Sequence, residues 1–596
     1  MLYELKRYAE QKGLTAVPGF KEKSVRWIIA LDSNGRFIDV ERNDRVFPMC
    51  PVLEHPELIS GNTRQFLVDS VEIVLNIPKN AKDAAKIDQK HESFKKLLSL
   101  ASEHDPLIRI CLDALEKQDL MADMREICRV RKIGLNDSIT FRVGGTYPVE
   151  STRWHDWWQA YRNAIKKDKS GNMASGMCCF LSGEAVEPAR THIKILGLAQ
   201  IGGQPSGSSL ISFDKEAFES YGLEQAKNAA CSESSVSSYA AALDHLIKNA
   251  PRPLAGTLFL HWYKEPIPSE YDFLNFMDNA EDTASIETAI KNADKLIEAV
   301  NRGERPELSH NRYHILILSG AGGRIMVRSY LQGDYLELRE RVTQWFDDIS
   351  IVSPGGRGIV TVQKLFTLLI RLLPFEKSAT AKSLSDRMDK ELSPIMTLIW
   401  ISILQGTQLP DTIAARALAF IRSKMYSSSE EDTDSNENLD TPACQLLKAW
   451  YIRKQRNDGG VIVLKEELNK VIQHPAYHAG RMMAVLAEIQ REALGEVNSS
   501  VIQRYYTSAS TSPSLVLGKL VALSKHHLAK MENRRIAIWF DNMLAEISTK
   551  LDISKLRTLS LEEQTLFAIG FYQQKAGMYK SNNDNRTENI SSTNLE

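Results

Sequence analysis

Apolar and polar residues alternate along two short runs near the start of the chain, VRWIIALD and GRFIDVE, with Ser33 and Asn34 between them. A period of two broken by turn residues predicts an antiparallel hairpin that points its apolar side into a core. Further strands are predicted at ITFRVGG around Phe141, LISF from Leu210, TLFLHWY from Thr257 and HILILSG from His314, and VEIVLNI, just before Lys79, reads the same way. Helical spacing fills the uneven intervals, and no βαβ repeat of steady length emerges, so an α+β body is expected rather than a doubly wound sheet. After about Pro374 the period changes. IMTLIWISILQG, ARALAFIRSKMY and CQLLKAWYIRKQR read as helices, and VIVL at Val461 is an isolated strand-like run.

The predicted organisation is a mixed α/β N-terminal body (1–375), a helical region (376–475), an all-α C-terminal bundle (476–579) and a disordered tail (580–596). Within the helical region, residues 427–440 (SSSEEDTDSNENLD) carry almost no apolar side chain and predict a solvated acidic loop. A chain of 596 residues exceeds what one core usually serves, in line with several domains.

Composition narrows the chemistry. The formal net charge is −1, so any affinity for nucleic acid must come from local patches. No run of about 18 apolar residues occurs and the first residues, MLYELKRYAEQK, have no secretory pattern, which predicts a cytoplasmic protein without a membrane partner. The seven cysteines contain no CxxC pair and are expected as free thiols. Cys178 and Cys179 would diverge on a strand and, with His192, still lack a fourth ligand, so neither metal nor cofactor is expected.

Three constellations suit nucleic acid. Between Gly197 and Glu233, Gly202, Gly203 and Gly207 lack Cβ atoms, while Gln204, Ser206, Ser208 and Ser209 offer neutral hydrogen-bonding groups to a polymer backbone. The glycine spacing is that of a phosphate loop, yet Ser208-Ser209 occupies the place of the required Lys-Ser/Thr, which argues against an NTPase. Lys227 and Asn228 continue the segment. Gln204 or Asn228 could read minor-groove acceptors, and a tight turn with a helix cap explains the same residues.

Second, Lys79, Lys82, Lys86 and Lys90 are spaced i, i+3, i+7 and i+11, which on a helix makes one cationic face, with Phe94, Leu97 and Leu98 turned away to pack. The interspersed Asp83, Asp88 and Glu92 also fit an ordinary solvated face. Third, a helix over Ser514–Arg534 would gather Lys519, His526, Lys530 and Arg534 opposite Leu517, Leu520, Val521, Leu528 and Met531, with Leu523 as the exception. Upstream, Arg504, Tyr505 and Tyr506 could meet phosphate and stack on a base. Among enzyme readings, His155-Asp156 matches the dipeptide of metal-dependent HD phosphohydrolases, but its neighbours Trp154, Trp157 and Trp158 suggest packing, and further histidines lack a diagnostic spacing.

Longer words carry a family resemblance: YAEQKGLTAVPGFKEKSVRWIIALDSNGRFIDV (Tyr8–Val40), CCFLSGEAVEPARTHIKI (Cys178–Ile195), FDKEAFESYGLEQAKNA (Phe213–Ala229), AYHAGRMMAVLAEIQREALGEVNSSVIQRYYTSASTSPSLV (Ala476–Val516) and LEEQTLFAIGFYQQK (Leu561–Lys575). In this order they resemble the large subunit of a type I-C CRISPR Cascade complex. The resemblance implies a non-catalytic subunit that grips target double-stranded DNA, recognises a protospacer-adjacent motif, helps start strand separation and stabilises the displaced single strand. It implies as partners the crRNA-bearing backbone subunits, small subunits similar to its own C-terminal domain and a recruited helicase-nuclease. It also implies that a small subunit could arise from an internal start at Met482 or Met483, although both methionines fit an ordinary apolar helix face. The stretch AQIGGQPSGSS departs from the family's compact turn by extra residues and a proline. A scaffold that touches only RNA and neighbouring proteins stands as the alternative.

Overall fold

The computed structural model describes the chain apart from residues 15–16, 54–64, 170–176, 190, most of 273–309, 357, 428–439, 462–463, 496–499, 553–555 and 594–596; side chains at 166–169, 270 and 580–593 are also outside the description. The fold is α+β, and the chain divides into two compact units, residues 1–198 with 204–248 and residues 199–203 with 249–596.

In the first unit, helix α1 (Leu2–Gln11) precedes an antiparallel pair of β1 (Phe20–Ser24) with β4 (Val46–Pro51). A four-stranded sheet has the order β3 (Phe37–Arg42), β2 (Trp27–Leu31), β6 (Ser138–Val143), β5 (Asp69–Ser70). β2 and β3 are the predicted hairpin, with Ile29 opposite Val40. β6 lies parallel to β2, with Phe141 opposite Ile29. A parallel neighbour demands a long crossover, and α2 (Val71–Val74), α3 (Ala84–Ser102), α4 (Pro106–Glu116) and α5 (Gln118–Val130) lie within it.

Two predicted strands are corrected here. VEIVLNI is one helical turn, α2, because Val71, Ile73, Val74 and Leu75 are all buried and the apolar run reflects enclosure rather than alternation. LISF forms no strand; next to it, Ser208 makes a single bridge to Ile195. The unit continues through α6 (His155–Lys169), the short ladder β7 (Met177–Cys178) with β8 (Ala185–Val186), and α7 (Glu233–Lys248). Trp154 donates its indole N–H to the Pro148 carbonyl at 2.9 Å and Trp158 to that of Gly19 at 2.7 Å, so both large rings are buried without orphaned donors.

The second unit begins with an antiparallel sheet of β11 (Arg324–Asp334), β10 (Arg312–Ala321) and β9 (Leu258–Tyr263), the latter two as predicted. After α8 (Tyr335–Ile349), a small ladder of β12 (Ile351–Val352) with β13 (Ile359–Val360) leads into helices: α9 (Leu365–Ile370), α10 (Ala381–Glu391), α11 (Ser393–Gln405), α12 (Asp411–Ser427) and α13 (Thr441–Asn457). The chain then forms α14 (Pro475–Leu494), α15 (Val501–Thr511), α16 (Pro513–Lys530), α17 (Arg534–Ser548) and α18 (Leu561–Thr593). The backbone of α18 is helical through residues 580–593, where the sequence suggests a tail without structure. VIVL falls partly on residues 462–463, outside the description, and Val461 is exposed. One apolar cluster extends from Ala255 to Met578.

α14 and α18 cross with their backbones in contact. A Cβ on Gly480 would lie 1.9 Å from the Phe567 carbonyl oxygen, and one on Gly570 would lie 2.2 Å from that of Tyr477. Around this crossing, Tyr477 donates to Gln573 Oε1 at 2.6 Å, while fully buried Arg481 reaches Gln574 at 2.8 Å and Glu546 at 3.1 Å. Met482 and Met483 lie inside the same helix, so a product begun at either would lack Gly480 and Arg481.

Two buried carboxylates elsewhere in this core are matched as well. Asp348 accepts from Arg453 at 2.8 Å and from Arg456 at 2.7 Å. Residues 428–439 of the acidic run are outside the description, but its last member, Asp440, is not a solvated loop position. It is buried, caps α13 by accepting from the Ala443 N–H at 3.0 Å, and pairs with Arg371 at 2.9 Å and Lys424 at 3.2 Å. Burial alone would raise its carboxyl, but the two cations and the cap outweigh that and hold it below its ordinary 3.8.

Gly480→Ala and Gly570→Ala should each cost about 3 kcal/mol or more in denaturant unfolding, since backbone cannot yield to a new methyl, whereas Gly518→Ala, in open space on α16, should gain about 0.5–1 kcal/mol. Because the native Asp440 carboxyl is depressed, its stabilisation is present above pH 3.8 and is lost as pH falls through the lower native value. Asp440→Asn should therefore melt lower than the unaltered chain at neutral pH, with the difference shrinking on acidification below 3.8.

Candidate nucleic-acid interface

The lysine segment is only partly helical. α3 begins at Ala84, so Lys79 and Lys82 lie in the preceding turns and the single four-lysine helical face is corrected to Lys86 and Lys90. Lys79 is engaged, donating to Asn136 at 2.6 Å and pairing with Glu72 at 3.7 Å. Lys82 and Lys86 are exposed and Lys90 half-buried, without carboxylate partners among the described residues. Phe94, Leu97 and Leu98 pack inward as predicted, while Asn76 holds Asp88 at 2.9 Å.

The glycine segment is largely shaped by the protein's own contacts. A Cβ on Gly320 would lie 2.2 Å from the Gly203 nitrogen, and one on Gly202 would lie 3.0 Å from the Gly320 carbonyl oxygen. The close approach that these two glycines permit is therefore to β10, which corrects the expectation of an external polymer at that point. Gly207 has φ +98° and donates to the Gln204 carbonyl at 3.0 Å. Ser208 is fully buried, exchanges two backbone hydrogen bonds with Ile195 at 2.9 Å, and its hydroxyl accepts from the Gln204 N–H at 3.0 Å. Buried in this way, it offers nothing to a ligand. Gln204 and Ser206 are exposed, and Ser209 is half-buried.

Asn228 is likewise turned inward. Its amide donates to the carbonyls of Leu223 at 2.6 Å and Gln225 at 3.0 Å, and its oxygen accepts from the Ser220 N–H at 3.1 Å. These bonds brace a tight turn in which Tyr221 and Gly222 have φ +53° and +70° and Leu223 donates back to Ser220 at 2.9 Å. The Tyr221 ring is fully exposed at its tip. Sequence reasoning passed over this residue, although a Tyr-Gly pair in a polar stretch is a turn signal. Lys227 is half-buried beside the brace.

The third constellation is the most coherent. α16 ends at Lys530, and Asn533 caps α17 by accepting from the N–H groups of Arg535 and Ile536 at 3.0 and 3.3 Å, so Arg534 starts a new helix instead of ending the old one. Lys519, His526, Lys530 and Arg534 are nevertheless all exposed, joined by Lys525 and Arg535. Leu517, Leu520, Leu528 and Met531 are buried, and Leu523 remains 42% exposed. On α15, Arg504 is exposed and Tyr505 half-buried, with Lys519 Nζ 5.9 Å from the Tyr505 ring centroid. Tyr506 is corrected: it is buried edge-on to Phe567 and Phe571 and cannot stack on a base.

No Asp or Glu occurs between Glu496 and Glu532, and none of Arg504, Lys519, Lys525, Lys530, Arg534 or Arg535 has a carboxylate partner among the described residues. Next to Arg504 and Tyr505 opens a cavity of about 110 Å³ between α14, α15 and α16. Of the dipeptide His155-Asp156, the His155 ring lies 4.7 Å from Phe20 and 4.5 Å from Trp154, while Asp156 is exposed. Burial lowers the pKa of this imidazole, against a weaker raising effect of Asp156.

A family model described as CRISPR-associated protein (Cas_Csd1) matches residues 2–579. The chain belongs to the Csd1 family. A search of curated proteins finds no match. Membership makes this a CRISPR-associated protein of the Cascade type, in agreement with the resemblance read from its longer words. Among the described residues, no helix of this Csd1 protein is long and apolar enough to cross a membrane.

Asn228→Ala should accelerate backbone hydrogen exchange over residues 220–227 by roughly tenfold, the effect of losing about 1–1.5 kcal/mol of bracing, while Gln204→Ala should leave that exchange unchanged.

Proposed function

We propose that this chain is the non-catalytic large subunit of a type I-C Cascade surveillance complex, and that it binds target double-stranded DNA, recognises the flanking motif, helps open the duplex and holds the displaced strand. Guide-RNA pairing then reads the remaining sequence, and a separate helicase-nuclease is recruited for cleavage. The observation that carries the DNA-binding part is the acid-free surface of α15 and α16. Its exposed cations, without carboxylate partners among the described residues, suit a phosphate backbone, and the adjoining half-buried Tyr505 suits a base. Lys82, Lys86 and Lys90 supply a second, smaller cationic site in the other unit, and Gln204, Ser206 and Tyr221 are the exposed loop groups nearest to a reading role. Packing of His155 among aromatic rings supports leaving hydrolysis to the partner.

The test is a reconstituted complex carrying Lys519→Glu, Lys525→Glu and Lys530→Glu, compared with one carrying Lys82→Glu, Lys86→Glu and Lys90→Glu, on target duplexes with and without the motif. Both should assemble, and both should bind DNA more weakly, with a salt dependence reduced by about 0.7–0.9 per lost phosphate contact. Unchanged DNA binding, or failed assembly in both sets, would favour the scaffold that touches only RNA and protein.

A further inference from the structure

We propose that the cavity between α14, α15 and α16 receives a single nucleobase turned out of a DNA single strand, an inference that rests on the DNA-binding reading above. Its size selects the ligand. At about 110 Å³ it is far below a drug-sized pocket, so it admits no more than one small planar ring, part of which stays at the mouth.

Its lining fits a base better than a plain hydrocarbon. Leu486, Val501, Leu520 and Leu523 give apolar walls to a planar ring. Gln490, Ser524 and His527 add polar edges. The Gln490 carbonyl already accepts from the Val501 N–H at 2.7 Å, which leaves its amide N–H groups to donate, and the Ser524 hydroxyl, donating to the Val521 carbonyl at 2.7 Å, retains acceptor capacity. Burial, with Lys530 and His526 nearby, lowers the His527 pKa and keeps the ring neutral, able to donate from one nitrogen and accept at the other.

The mouth decides between a nucleotide and an aromatic side chain of a neighbouring protein. Arg504 and Tyr505 line the cavity, Lys519 stands over the Tyr505 ring, and no acid occurs between Glu496 and Glu532. A base arrives with phosphates on both sides, which this cationic rim can neutralise, whereas a protein side chain brings no such charge. Leu523, apolar and 42% exposed beside the opening, gives the ring a surface to cover.

The experiment uses the full chain with a single-stranded thymidine oligonucleotide carrying one central 2-aminopurine, and a matched oligonucleotide with isolated abasic sites. Binding should change the 2-aminopurine fluorescence as a neighbouring thymine leaves the stack, and abasic sites should weaken binding. Leu523→Trp, which puts bulk at the mouth from an exposed position, should weaken single-strand binding by roughly tenfold, the stacking contribution of one base. It should leave duplex binding and melting temperature within error. If the unaltered chain binds neither duplex nor single strand, both readings fail. If it binds DNA but is insensitive to Leu523→Trp and abasic sites, with unaltered fluorescence, the pocket proposal alone falls. Loss of subunit assembly with unchanged oligonucleotide affinity would overturn it in favour of a protein side chain.

Discussion

The second unit depends on how closely two helices can approach. Pro475–Leu494 and Leu561–Thr593 meet where Gly480 and Gly570 remove the only atoms that would keep their backbones apart. Once the axes are that near, the surrounding polar groups have fixed partners: Tyr477 with Gln573, and Arg481 with Gln574 and Glu546. The crossing also supplies the surface on which α15 rests, because Tyr506 packs edge-on to Phe567 and Phe571 of the second helix. With Tyr506 directed inward, successive residues on the helix turn by about 100°, and Arg504 and Tyr505 come to the outside. The position of the candidate interface is thus a consequence of a glycine contact deep in the core.

Two sets of cations in this chain contrast, and the net charge of −1 conceals the difference. Arg453 and Arg456 answer Asp348, Arg371 and Lys424 answer Asp440, and Arg162 in the first unit answers Glu233. Removing such charges from water is costly, and pairing compensates that cost without adding much net stability; its value is to specify one arrangement of helices. The cations of α15, α16 and the start of α17 behave oppositely. They stay in solvent, and no acidic residue intervenes between Glu496 and Glu532. Like charges held together on one surface repel one another, a cost that a bound polyanion relieves.

Much of the architecture was legible because burial leaves a periodic trace. The β2–β3 hairpin appears where apolar alternation places it, β6, β9 and β10 appear at short apolar runs that are buried almost throughout, and the helices from Ser393 to Asn457 follow their apolar spacing. VEIVLNI failed because a residue run enclosed on all sides looks the same as helix or strand. The end of α16 was misplaced at Arg534 although Asn533 is a readable cap signal. Of two adjacent tyrosines, only tertiary packing against α18 shows that Tyr506 is inside and Tyr505 partly outside. The glycine pair 202–203 was assigned to an external partner because the backbone it touches, Gly320, lies far along the chain and leaves no local mark.

Because these glycines pack against the protein's own backbone, labour within the proposed interface divides differently. Contacts that position a duplex need charge on rigid elements, whereas contacts that read it need unsatisfied hydrogen-bonding groups or exposed rings held at a fixed place. Ser208 and Asn228 have their hydrogen bonds already made inside the first unit, so they act as framework. Their bracing has a consequence, however: it fixes the loop tips on which Gln204 and Tyr221 are exposed. Tyr221 is held at φ +53°, a conformation that costs a non-glycine residue energy and that the three Asn228 hydrogen bonds help to maintain. A flexible loop would lose conformational entropy on meeting DNA; a loop already ordered by its own amides would lose less. Selectivity in this region would then derive from the stiffness of the support as much as from the identity of the exposed group.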